Sequence, residues 1–139
     1  MQMVVKISRE NVDKIIEQGK KEFPIECCGL IGGIKEEDRF IIKEIHSLYN
    51  TDQSSEHFSM DPKEQFQVIK ALRKNNLELL GNYHSHPYTP SRPSDEDKKL
   101  AYDSAMIYGI LSLAADEPVL NFFMIYDQDE VKKLELEID

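Results

Sequence analysis

The strand-like run Leu77 to Tyr83 leads directly into His84-Ser85-His86-Pro87, and this junction constrains the fold more than any other stretch. Side chains two apart on an extended strand share a face, so His84 and His86 project together while Ser85 faces away. The loop that follows, Pro87 to Pro93, holds three prolines, which stiffen it and reduce the entropy lost on ordering. Beyond it, Ser94-Asp95-Glu96-Asp97 reads as a helix start, with Ser94 as N-cap and Asp97 at N3 in a near capping box. Such a connection can bring Asp97 back against the two imidazoles. Two imidazoles and a carboxylate are a ligand set of catalytic zinc, which keeps a fourth position for water. The capping and ligand readings of Asp97 are compatible, since one oxygen can cap while the other binds metal.

Composition narrows the function classes. The 139 residues suit one domain, residues 1–139, with no repeat and no Gly/Ser linker. Seventeen basic against 26 acidic residues, a net charge of −9, with no basic stripe, argue against a nucleic-acid partner. No apolar run approaches the roughly 20 residues that span a bilayer, and the N-terminus lacks the pattern of a signal peptide. No membrane association is expected, and a cytoplasmic location is the default. Cys27 and Cys28 are neighbours and too few for a zinc cage, so they are expected as buried small hydrophobes in a reducing compartment. His46 and His57 are expected as surface or hydrogen-bonded histidines.

The remaining pattern predicts a mixed α/β (α+β) fold, a central and mostly antiparallel sheet flanked by helices. A helix runs from Ser8 as N-cap to about Glu22, stopping before Pro24. Cys27 to Ile34 and Arg39 to Leu48 read as a hairpin, and Asn50 to His57 as a polar loop. Asp61-Pro62 opens a second helix whose apolar face is Phe66, Ile69 and Leu72, with Val68 beside it. A short helix after Ser94 carries Leu100 and Ala101. Met106 to Leu113, Val119 to Tyr126 and Val131 to Ile138 are the last strands.

The spacing H-x-H-x(7)-S-x-x-D, matched by His84, His86, Ser94 and Asp97, resembles the motif of the JAMM, or MPN-plus, metallopeptidase family. That family carries an upstream P-x-E-x-C-G stretch, which Pro24-Ile25-Glu26-Cys27-Cys28-Gly29 fits. Phe58 to Pro62, the helix after it and Gly81 to Tyr83 are also similar, so the resemblance runs from about Ile7 to Tyr126. The long insertions of eukaryotic deubiquitinases are absent, as in the compact prokaryotic type.

The resemblance implies a JAMM/cytidine-deaminase-like fold and one zinc per chain on His84, His86 and Asp97. It also implies Glu26 as general base and the Ser94 hydroxyl as an oxyanion donor. The implied substrate is the amide or isopeptide bond after the C-terminal glycines of a ubiquitin-like or sulfur-carrier protein. Without the resemblance Glu26 would read as a solvated charge. A non-catalytic MPN-type scaffold is the alternative, against which the complete motif argues. A nucleobase deaminase needs H-x-E with P-C-x-x-C, and a thermolysin-like protease H-E-x-x-H; both are absent. Homodimerisation is left open.

Overall fold

The computed structural model describes residues 2–139. In chain order its elements are β1 (Val4–Ile7), α1 (Arg9–Glu22), β2 (Cys28–Lys35), β3 (Arg39–Leu48), α2 (Pro62–Lys74), β4 (Glu78–His86) and α3 (Asp95–Lys99). They continue with β5 (Ile107–Ser112), β6 (Val119–Tyr126), β7 (Glu130–Lys133) and β8 (Glu135–Ile138). The helices begin where side chains can satisfy their first amides. Ser8 Oγ accepts from Asn11 N at 3.1 Å, and Asp61 Oδ1 from Lys63 N at 3.0 Å.

All eight strands form one sheet in the order β7-β6-β5-β4-β2-β3-β1-β8. The pairings β2–β3, β2–β4, β5–β6 and β6–β7 are antiparallel, whereas β1–β3, β1–β8 and β4–β5 are parallel. The sheet is thus more evenly mixed than the predicted, mostly antiparallel one. It is also not a layer flanked by helices. β7 and β8 occupy opposite ends of the strand order, yet only Leu134 separates them in the chain. Leu134 is buried and donates its amide to Phe122 O of β6 at 2.9 Å. The two edges must approach each other, which gives the sheet a barrel-like curl.

Two further differences have physical causes. The predicted single strand Val131 to Ile138 breaks at Leu134, because the chain pairs with β6 before that residue and with β1 after it. β1 has no counterpart among the predicted elements; four residues give too short an alternation to read, although Val5 and Ile7 are buried. In α2 the side facing the protein is marked by Leu72 and Val68, while Phe66 stays 56% exposed.

Cys27 and Cys28 are free and buried, as expected, and sit in different apolar clusters. Cys27 packs with Val12 and Ile15 of α1, and Cys28 with Leu30, Leu48 and Phe58. The strands that carry the histidines need close backbone approach. A Cβ on Gly81 would lie 1.8 Å from Ile107 O across the parallel β4–β5 pair. That obstacle is backbone, so it cannot swing aside. Gly81→Ala is expected to lower the unfolding free energy by about 3 kcal/mol, an overpacking cost, measured by urea denaturation. Unchanged stability would mean that the two strands can separate freely.

Candidate metal centre

β4 delivers both imidazoles to one place. Cys28 of β2 lies opposite His84, and Ser85 is locked from both sides to Cys27, the residue just before β2. Ser85 N donates to Cys27 O at 3.0 Å, and Cys27 N donates to Ser85 Oγ at 2.8 Å. With Ser85 turned toward Cys27, His84 and His86 emerge together. Their Nε2 atoms are 3.0 Å apart, and Asp97 Oδ2 lies 3.2 Å from the first and 3.1 Å from the second. All three residues predicted as ligands therefore converge, with both histidines buried and Asp97 partly so.

The loop between them is tied down at several points. Ser91 Oγ donates to Ile110 O and Ser112 Oγ to Thr89 O, each at 2.6 Å. His86 Nδ1 lies 2.9 Å from Pro90 O. A carbonyl only accepts, so Nδ1 carries a proton, and Nε2 faces the centre. His84 is held differently. Its Nδ1 is buried without a partner among the described residues, and the ring stacks on Phe58 at 4.6 Å between centroids and 22° between planes.

α3 supplies the carboxylate through a complete capping box. Ser94 Oγ accepts from Asp97 N at 3.0 Å, and Ser94 N donates to Asp97 Oδ2 at 2.9 Å. The same oxygen, Oδ2, thus both caps the helix and faces the imidazoles; the two roles are not split between the two oxygens as predicted. Burial works to raise the Asp97 carboxyl, but its hydrogen bonds with His84 and His86 hold it well below the ordinary carboxylate range. Burial works to lower His86, and the Asp97 and Pro90 hydrogen bonds overcome it and raise it. The two Nε2 atoms and Asp97 Oδ2 crowd one point within 3.2 Å of each other, a place for a shared proton or a cation. Two nitrogens and a carboxylate oxygen suit a divalent metal. The triad could hold one.

Glu26 precedes β2 and is 5% exposed. The Cys27–Ser85 link places it one step further along the pairing, toward His86. Burial pushes its carboxyl up to about 8, a shift that the charge of His86 opposes and that of Asp97 reinforces. His46 pairs with Glu44 at 2.8 Å, and His57 with Glu96 of α3 at 2.8 Å. In the sequence Phe58 is marked only by the Phe58 to Pro62 resemblance, and in the structure its ring covers His84. The available signal for Phe58 was an aromatic standing directly after the polar loop Asn50 to His57.

The centre and its setting define a candidate divalent-metal site on a mixed α/β sheet. Residues 8–129 match the family model described as prokaryotic homologs of the JAB domain, and the chain belongs to that family. It is 29% identical over 110 residues to the CysO-cysteine peptidase of Mycobacterium tuberculosis, covering 78% of this chain and 73% of that one. It is 37% identical over 82 residues to a probable TtuB-protein conjugate cleaving protease of Thermus thermophilus, covering 58% and 52%. A solution structure of a protein from Desulfitobacterium hafniense superposes with TM-score 0.88 at 40% identity, covering 97% of this chain and 92% of that one.

Two predictions follow from the geometry. Phe58→Ala is expected to weaken metal binding about 10-fold, the scale of losing an outer support, measured by competition with a chromophoric chelator. Unchanged affinity would show that the stack does not hold His84. Because the folded Glu26 carboxyl lies above its usual 4.5, its stability contribution is complete below pH 4.5 and is lost as pH rises through about 8. In metal-free protein, Glu26→Gln should therefore raise the melting temperature more at pH 8.5 than at pH 4.5. An equal gain at both would mean that Glu26 is solvated.

Proposed function

We propose that the chain, acting as one domain over residues 1–139, is a zinc-dependent peptidase or isopeptidase. It hydrolyses the amide bond after the C-terminal glycines of a ubiquitin-like or sulfur-carrier protein. The observation that carries the reading is the convergence of His84 Nε2, His86 Nε2 and Asp97 Oδ2 beside the buried Glu26, in a chain of the prokaryotic JAB family. The names of the two relatives, one a peptidase and one a conjugate cleaving protease, support the substrate class. The two unpaired, buried cysteines support a reducing, cytoplasmic setting.

His84, His86 and Asp97 would hold one zinc, which when bound supplies a Lewis acid and makes water acidic enough to attack at neutral pH. Glu26 takes a proton from the attacking water and hands it to the amine as the C–N bond breaks. Its burial suits a base that must also release a proton near neutrality. Ser94 can serve two roles at once. A lone pair of Oγ accepts from Asp97 N, and the hydroxyl proton remains free to donate to the oxyanion. The segments that carry Phe58 and Pro90 border the histidines, so an extended tail can lie between them. Glycines fit such a slot because they have no side chains to clear.

The test is incubation with ubiquitin-like proteins fused through a terminal Gly-Gly to a reporter, with and without chelator, read by mass. Chelator-sensitive cleavage directly after Gly-Gly is expected. Glu26→Gln should keep one zinc per chain and lose at least about 100-fold in kcat, the contribution of a general base, while Asp97→Ala should lose the zinc. Cleavage elsewhere, or full turnover by Glu26→Gln, would refute the reading.

A further inference from the structure

Glu26 is held by an irregular segment and not by the sheet. The β2–β4 pairing ends with the Cys27–Ser85 link, one residue short of Glu26. Both main-chain groups of Glu26 turn instead to the segment between β3 and α2. Glu26 N donates to Ser54 O at 2.9 Å, and Glu26 O accepts from Asn50 Nδ2 at 3.0 Å.

Asn50 is the hub of that segment. It is wholly buried, and Nδ2 also donates to His57 O at 2.9 Å. Its Oδ1 accepts from Asp52 N at 2.9 Å and from Ser59 N at 3.3 Å. A carboxamide has two donors and two acceptor sites, so its full capacity is used. A fully satisfied buried amide makes a rigid joint, whereas losing one partner leaves the others unpaired. The two donated bonds are the informative ones. One grips the carbonyl of Glu26, and the other grips the carbonyl just before Phe58, whose ring lies on His84. One side chain thereby ties the candidate base and the cover of one candidate ligand to a common point.

We infer that Asn50 is a positioning residue, fixing Glu26 and Phe58 relative to the His84–His86–Asp97 centre and so setting turnover through Glu26. The inference rests on the reading of Glu26 as the base. Loss of the joint lets the carboxylate drift, and misplacement on the ångström scale costs about 100-fold in rate.

The experiment compares Asn50→Ala and Asn50→Asp as zinc-loaded full-length chains, on the Gly-Gly reporter fusion. Asn50→Asp retains an Oδ1 acceptor for Asp52 N and Ser59 N while losing the paired donors, so it decides the matter should Asn50→Ala fail to fold. The expected result is a kcat lower by about 10- to 100-fold, KM within about twofold, and zinc unchanged at one per chain. Amide hydrogen exchange of the metal-free variants gives a second readout. Protection at Glu26 should drop about 10-fold or more, while Leu30 and Ile31 in β2 keep theirs. Added to Glu26→Gln, either substitution should cost less than about twofold further, because residues acting as a unit are not additive.

Wild-type kcat in the Asn50 variants, beside an inactive Glu26→Gln, overturns the inference alone. So does a protection loss spread evenly over β2, or a rate loss just as large in the Glu26→Gln background, since both mark a purely structural role. A fully active Glu26→Gln overturns the base reading and the inference with it.

Discussion

The register between β2 and β4 is the constraint on which the site depends. Cys28 stands opposite His84, and the Cys27–Ser85 pair closes the ladder with two hydrogen bonds. In any sheet with a buried face, a slip of one residue exchanges every side chain between faces. Here such a slip would bury Ser85 where an imidazole belongs and turn both histidines away from Asp97. The register is reinforced by glycines that admit close neighbours. Gly29 faces the Tyr83 ring, which a Cβ would meet at 2.4 Å, and Tyr83 in turn donates to Gln18 of α1 at 2.5 Å. A helix–strand contact thus helps hold the strand whose last residues are the two candidate ligands.

Electrostatics explains why these groups tolerate burial together. An isolated buried carboxylate is strongly disfavoured, and two adjacent ones are worse. Asp97 stays charged because it accepts from Ser94 and meets two imidazoles, whereas at Glu26 burial outweighs the charge of His86 and leaves a weak acid. Two carboxyl groups in one site therefore differ widely in proton affinity. This is the division of labour that a centre needs when one carboxylate is to stay a ligand and the other is to move protons.

Most of the elements were legible in the sequence because their signals are local. The Ser8 cap, the Asp61-Pro62 start, the Ser94 box and the i, i+2 histidines are all short-range patterns, and each recurs in the structure. What escaped was long-range. The curl of the sheet depends on Leu134 meeting Phe122, twelve residues back on another strand, and β1 exists only because β3 and β8 flank it. Asn50 looked like one more polar loop residue. Its burial arises from partners at Glu26, 24 residues away, and at His57, which no periodicity reveals. Glu26 itself was singled out as a candidate only through resemblance, since a glutamate before an apolar strand carries no local mark of function.

The shared use of Asp97 Oδ2 has a consequence for the helix it caps. α3 is five residues long, too short to be stable by its own propensity, and its first turn leans on that oxygen. Any cation drawn to the imidazoles binds the atom that also anchors the start of α3. Occupancy and helical order are then linked equilibria: whatever tightens one must tighten the other by the same free energy. Through the His57–Glu96 pair, the linkage extends to the segment that grips Glu26. A cation bound there would make its presence felt in the walls of the cleft.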